Sequence, residues 1–137
     1  MKKLNILYED KYLIIVYKRH GLLTISRDNH NDLNLYDEVK EYEKKKNPRN
    51  KIFIVHRLDK DTSGLVLFAK NEKIKYALQN NWDKVIRKYY AVVEKEVLEN
   101  KTLINYLQES KTGEVFVTNN KVIGKKSITK YVCIIFI

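Results

Sequence analysis

Apolar and polar positions alternate near the start of the chain, in "NILYED" (5–10) and "YLIIVYK" (12–18). A period of two puts one face of a strand in a core and the other in solvent, which predicts two short strands joined by a turn at Glu9-Asp10-Lys11. "RHGLLTI" (19–25) follows as a turn around Gly21 and a further short strand. From Asp32 to about Lys46 the period changes, with Leu35, Val39 and Tyr42 on one helical face and lysine and glutamate on the other. Asn47-Pro48 ends that helix, because proline disfavours helical geometry in the residue before it.

The run "KIFIVHRL" (51–58) reads as a strand and "GLVLFAK" (64–70) as another, with a charged loop between them. Helical spacing returns in "NEKIKYALQNNWDKVI" (71–86), where Ile74, Leu78 and Trp82 recur every four residues beside Ala77, and Asn71 is the expected N-cap. "KYYAVVEKEV" (88–97) reads as a strand. "TLINYLQ" (102–108) and "EVFVTN" (114–119) form a predicted hairpin around Lys111-Thr112-Gly113, and "KSITKYVCIIFI" (126–137) is a final strand. The expected fold class is α+β, a mixed and largely antiparallel sheet with two or more flanking helices.

A length of 137 residues suits a single domain, and one proline and four glycines leave no flexible linker to divide it. Twenty-seven basic residues stand against 17 acidic ones, a formal charge of +10. Such a charge favours a polyanion, nucleic acid above all; a lysine-, asparagine- and isoleucine-rich composition also follows from an AT-rich genome. Cys133 is the sole cysteine, which excludes an intramolecular disulfide and a cysteine zinc cluster. Glu9, Asp10 and Lys11 interrupt any signal-peptide core, and "YLIIVY" (12–17) and "YVCIIFI" (131–137) fall short of the ~20 residues that span a bilayer. A soluble, cytoplasmic protein is expected.

The segment "HRLDKDTSG" (56–64) concentrates charge between two apolar runs. Asp59, Asp61, Ser63 and Gly64 match the first positions of a calcium loop, but the position of the bidentate glutamate holds Lys70, and the flanks read as strands rather than helices. Asp59 and Asp61 could instead form a pair of catalytic carboxylates, although one tryptophan and a basic chain make a poor sugar platform. A solvated connection between strands is the third reading, since Asp, Lys, Thr, Ser and Gly all favour turns. Against it, Leu58 carries the apolar run into the loop and sets Arg57 and Asp59 at the strand's edge, where a rigid scaffold can hold a working carboxylate.

"HRLDKDTSGLVLFAK" resembles the signature of RluA-type RNA pseudouridine synthases, H-R-L-D-x-x-T-S-G followed by an apolar strand. The sister RsuA-type pattern begins G-R-L-D, so His56 and Thr62-Ser63-Gly64 point to the RluA type. "ILYEDKYLIIVYKRHGLLT" is similar to the family's opening strand pair and K-P-x-G-L, with Lys18, Gly21 and Leu22 in place and Arg19 where proline is usual. "RKYYAVV" resembles K-x-Y-x-A-x-V, which sets its tyrosine at Tyr89 and its alanine at Ala91, with Glu94 near the place of the usual glycine. "KKSITKYV" resembles A-x-T-x-Y-x-V through Thr129 and Tyr131.

The resemblance implies a uridine isomerase acting within RNA, which breaks the bond from uracil N1 to ribose C1′, turns the base and rejoins it through C5. Asp59 would be its catalytic residue, attacking C1′, attacking C6 of the ring, or abstracting a ribose proton; the three routes stay open. The uridine must leave its stack to be reached. Arg57 would then stabilise the vacated stack, Tyr89 would pack against the flipped base, and His56 and Thr62 would complete the RNA-facing set by shaping the loop. Neither a metal nor a cofactor is required. The expected partner is RNA, ribosomal or transfer, with no membrane and no DNA, and the oligomeric state is unspecified.

The family's third segment, L-x-T-G-R-x-H-Q-I-R, does not occur between Met1 and Ile137. It supplies a basic partner for the aspartate. The expectation is therefore a shortened catalytic domain without a separate N-terminal RNA-binding module, weak or inactive alone. The alternatives are a non-catalytic RNA-binding remnant and a short chain that covers its sheet edge by dimerising.

Overall fold

The computed structural model describes residues 4–26, 32–95 and 97–134, and the chain divides into two compact units, Met1–Lys88 and Tyr89–Ile137. In the first, β1 (Ile6–Glu9), β2 (Leu13–Lys18), β3 (Phe53–Ile54) and β4 (Gly64–Ala69) form a sheet of order β1-β2-β4-β3 with every neighbouring pair antiparallel. The turn between β1 and β2 is the predicted one, and Asp10 Oδ1 accepts from the N–H groups of Tyr12 and Leu13. Along β2 the alternation buries Ile14 and Val16, and its next inward position is Lys18.

Helix α1 (Leu35–Lys46) contributes Leu35 and Val39 to the buried cluster that contains Ile14, Val16, Val66 and Phe68, with Tyr42 packed at its margin. The helix starts at Leu35 rather than Asp32, because Asn34 is extended and its side chain accepts from the Asp37 N–H at 2.9 Å as an N-cap. Near the far end Glu43 is buried. Its carboxylate meets Lys46 at 3.1 Å, Lys70 at 3.2 Å and Asn50 at 3.0 Å, and Lys46 and Lys70 also pair with Glu9 of β1. That network binds helix, first strand and the end of β4.

Three predicted elements are shorter than their apolar runs. The strand expected within residues 19–25 is a single parallel bridge from Leu23 to Asn34. The strand expected over 51–58 is only β3, since backbone pairing with β4 stops at Ile54–Phe68. Helix α2 (Glu72–Gln79) has the foreseen cap, Asn71 accepting from the Ile74 N–H at 2.9 Å, yet it ends before Trp82. There Asn81 Nδ2 donates to the Ala77 carbonyl and takes up a terminal acceptor, so only one 3₁₀ turn, Trp82–Lys84, follows.

In the second unit β5 (Lys101–Glu109), β6 (Val115–Val117) and β7 (Lys125–Tyr131) pair antiparallel in the order β6-β5-β7. The hairpin lies where its pattern placed it, closed by the Ser110 N–H on the Glu114 carbonyl, with Gly113 at φ 86. The strand expected over 88–97 is absent from the described part of that stretch, in which Tyr90 and Val92 are exposed; residue 96 lies outside the described residues. β-branched and aromatic residues favour a pleated surface, but a strand exists only with a partner to pair with. The final strand ends at Tyr131, and residues 135–137 lie outside the described residues. Every buried hydrophobic residue among those described belongs to the first unit. The architecture is α+β, as expected.

Candidate active site

The charged loop begins where β3 leaves the sheet. One residue beyond the last β3–β4 pair, the Leu67 N–H of β4 donates to His56 Nε2 at 3.2 Å. The imidazole so takes the place of a strand partner, and the His56 ring stacks on Trp82 with centroids 4.7 Å apart. A ring nitrogen that accepts is unprotonated, so His56 is the neutral tautomer with its proton on Nδ1. Burial pushes its pKa below the ordinary 6.5, and the charge of Arg87 acts in the same direction.

The next anchor is Leu58. The buried Thr24 hydroxyl donates to the Leu58 carbonyl at 2.6 Å and accepts from the Leu58 N–H at 3.1 Å, so one side chain satisfies both backbone groups. At the loop's end Gly64 has φ 143, a conformation that strains any residue with a Cβ. Gly64 also stands opposite Lys18 in the β2–β4 ladder.

Beneath the centre of the loop lies Lys18. Its ammonium is wholly buried and donates to the carbonyls of Leu22 at 2.7 Å, Lys60 at 2.9 Å and Arg19 at 3.3 Å. Burial pulls its pKa down, and the carboxylates of Asp61 and Asp59 oppose that pull. The Gly21 N–H also donates to Lys60 O at 3.0 Å, and His20 Nδ1 lies 2.7 Å from the Asp61 carbonyl oxygen. The Thr62 N–H donates to Asp59 O at 3.2 Å and closes the turn. Arg19, on the same segment, pairs through both terminal nitrogens with Glu38 of α1.

Asp59 itself is exposed, as are Arg57 and Asp61, and no ion pair among the described residues uses any of the three. His56, Arg57, Asp59 and Thr62 thus share one loop of the first unit: His56 and Thr62 face partly inward, while Arg57 and Asp59 are presented to solvent. Tyr89 opens the second unit and is 63% exposed. The family pattern marks Lys18 as a matched position but assigns nothing to His20 or Thr24. One signal was legible, for Lys18 occupies an inward position in the alternation of β2. Among the described residues no cluster of three His, Cys, Asp or Glu side chains is placed to hold a metal ion.

The profile of a family described as RNA pseudouridylate synthase matches residues 12–135. The chain is 31% identical over 143 residues to an uncharacterized RNA pseudouridine synthase of Mycoplasma genitalium, an alignment covering 94% of this chain and 42% of that protein. It is 31% identical over 130 residues to the ribosomal large subunit pseudouridine synthase D of Buchnera aphidicola subsp. Baizongia pistaciae, covering 93% of this chain and 41% of the relative. The chain therefore spans about two fifths of the length of these relatives. Among solved structures, human RNA Pseudouridylate Synthase Domain Containing 4 superposes with a TM-score of 0.70 at 21% identity, over 92% of this chain and 52% of that one, a likeness of fold. With the H-R-L-D…T-S-G loop displayed from an antiparallel sheet and a family match along nearly all of its length, the chain belongs to the RNA pseudouridylate synthase family, RluA type.

Proposed function

We propose that the protein isomerises uridine to pseudouridine within structured RNA, with Asp59 as the working carboxylate. The observation that carries this reading is an exposed Asp59, unpaired among the described residues, on a loop whose backbone is tied down on both sides. A carboxylate held in that way can supply the nucleophile or base that opens the bond between uracil N1 and ribose C1′. Rejoining the base through C5 then expels the proton that C5 carried. A formal charge of +10 supports an RNA partner, since each phosphate contact releases counterions.

A stacked uridine hides its reacting atoms, so the substrate nucleotide swings out of its helix. Arg57, beside Asp59 and free of ion pairs among the described residues, is suited to hold the vacated stack, and Tyr89 to stack on the extruded base. His56 and Thr62 keep the shape of the loop. Several relatives, the Buchnera aphidicola synthase D among them, are named for the ribosomal large subunit, which favours large-subunit ribosomal RNA as the first substrate to try, ahead of transfer RNA.

Tritium release from [5-³H]uridine-labelled ribosomal or transfer RNA is the test. Weak release that disappears in Asp59→Asn is expected. Release that survives this substitution would remove Asp59 from the reaction. Salt-sensitive RNA binding with no release from the unsubstituted chain would leave an RNA-binding module rather than an enzyme.

A further inference from the structure

We infer that His20 is a positioning residue for Asp59, acting through the Asp61 carbonyl. The inference rests on Asp59 being the working carboxylate. His20 Nδ1 and Asp61 O are 2.7 Å apart across 41 positions of sequence. A carbonyl oxygen only accepts, so the proton of this bond is on His20 Nδ1, and the bond selects one tautomer and one ring plane.

The place of this bond gives it its effect. Asp59 to Thr62 form a turn, closed by the Thr62 N–H on Asp59 O. Its two inner carbonyls belong to Lys60 and Asp61. Lys18 and Gly21 hold the first, and His20, which lies between them in sequence, holds the second. Types I and II differ by a flip of the plane between the two inner residues, and holding the carbonyls of both inner residues fixes the conformation of the turn on which Asp59 sits. Segment 18–21 therefore holds both inner carbonyls of the turn that starts at Asp59, and His20 is the member that does so from an exposed side chain. Lys18 is buried in the core, so its replacement disturbs folding; that of His20 does not expose the core.

Asn and Gln substitutions separate positioning from mere presence. The side-chain amide of asparagine can place an N–H where His20 has Nδ1–H, whereas that of glutamine mimics Nε2. The experiment measures single-turnover tritium release from [5-³H]uridine-labelled large-subunit ribosomal RNA by the full chain, its His20→Ala, His20→Asn and His20→Gln variants, and Asp59→Asn. Amide exchange at Thr62 is read in parallel. His20→Ala and His20→Gln are expected to slow the saturated rate about tenfold while half-saturation moves less than about twofold, and His20→Asn to return within about threefold of the unsubstituted chain. All three variants retaining full rate, or His20→Asn falling as far as His20→Ala, would overturn the inference.

If the unsubstituted chain releases no more tritium than Asp59→Asn, the synthase reading fails, and Thr62 exchange alone judges the clasp. Faster exchange in the Ala and Gln variants but not in Asn upholds it. Unchanged exchange in all three overturns it.

Discussion

Lys18, buried at the end of β2, donates from Nζ to the carbonyl oxygen of Lys60 at 2.9 Å. A cation at the edge of the core thus supports the loop that displays Asp59. Two opposed effects decide its worth. Desolvation disfavours the ammonium, whereas the carbonyls of Leu22 and Lys60 gain a charged donor. Lys18→Met would relieve the first and leave the carbonyl of buried Leu22 without this donor. A net loss of about 1–3 kcal/mol is expected from urea denaturation, because an unsatisfied buried acceptor outweighs the relief. A rise in stability would show that desolvation dominates.

Thr24 offers a cleaner test of the loop's anchoring. Thr24→Val keeps the shape and removes both bonds to Leu58, leaving a buried N–H and a buried C=O without partners. A loss of about 2–4 kcal/mol follows, while Thr24→Ser should stay within about 1 kcal/mol. Chemical denaturation of the two variants side by side measures the contrast.

His56 makes stability depend on pH. Its pKa in the folded chain lies below the ordinary 6.5, so the unfolded chain binds the proton more readily. The contribution of the neutral ring is complete above pH 6.5 and is lost as pH falls through the depressed value. His56→Gln can still accept from the Leu67 N–H but does not titrate. The urea midpoint of the unsubstituted protein should therefore fall more steeply than that of His56→Gln between about pH 7.5 and about pH 5.

Glu9 acts in a more acidic range. Burial pushes its carboxyl up, but hydrogen bonds from Lys46, Lys70 and Tyr42 outweigh that and bring it down from 4.5 to about 2. A depressed folded value means stability that is present above pH 4.5 and drains as pH falls toward 2. Glu9→Gln should lose about 1–2 kcal/mol at neutral pH, less than the full shift because the site is partly solvated, and the difference from the unsubstituted chain should vanish near the folded pKa. Thermal melts across that range test it.

Much of the fold was legible because it is local. Alternation marked β1 and β2, helical spacing marked α1 and α2, and the turn at Gly113 joined the hairpin. The Asn34 cap was missed although Asn34 and Asp37 have the spacing of a cap and its N3 partner. The shortness of β3 and the absent strand before residue 96 were not legible, since pairing depends on a partner edge that apolar content does not reveal. The site divides in the same way. The motif exposed Asp59 and its neighbours, while the contacts from Thr24 to Leu58 and from His20 to Asp61 join residues 34 and 41 positions apart, which no local pattern encodes.

The imidazole of His56 stands in for a strand residue at the point where the chain leaves β4's side. A side chain in that role insulates scaffold from loop. The sheet's register on this side therefore does not depend on the loop's own backbone, because the Leu67 N–H is answered from outside the ladder. The same insulation protects against wrong assembly. The Leu67 N–H would otherwise be an open donor on a hydrophobic strand, and the ring that covers it denies a passing chain its foothold.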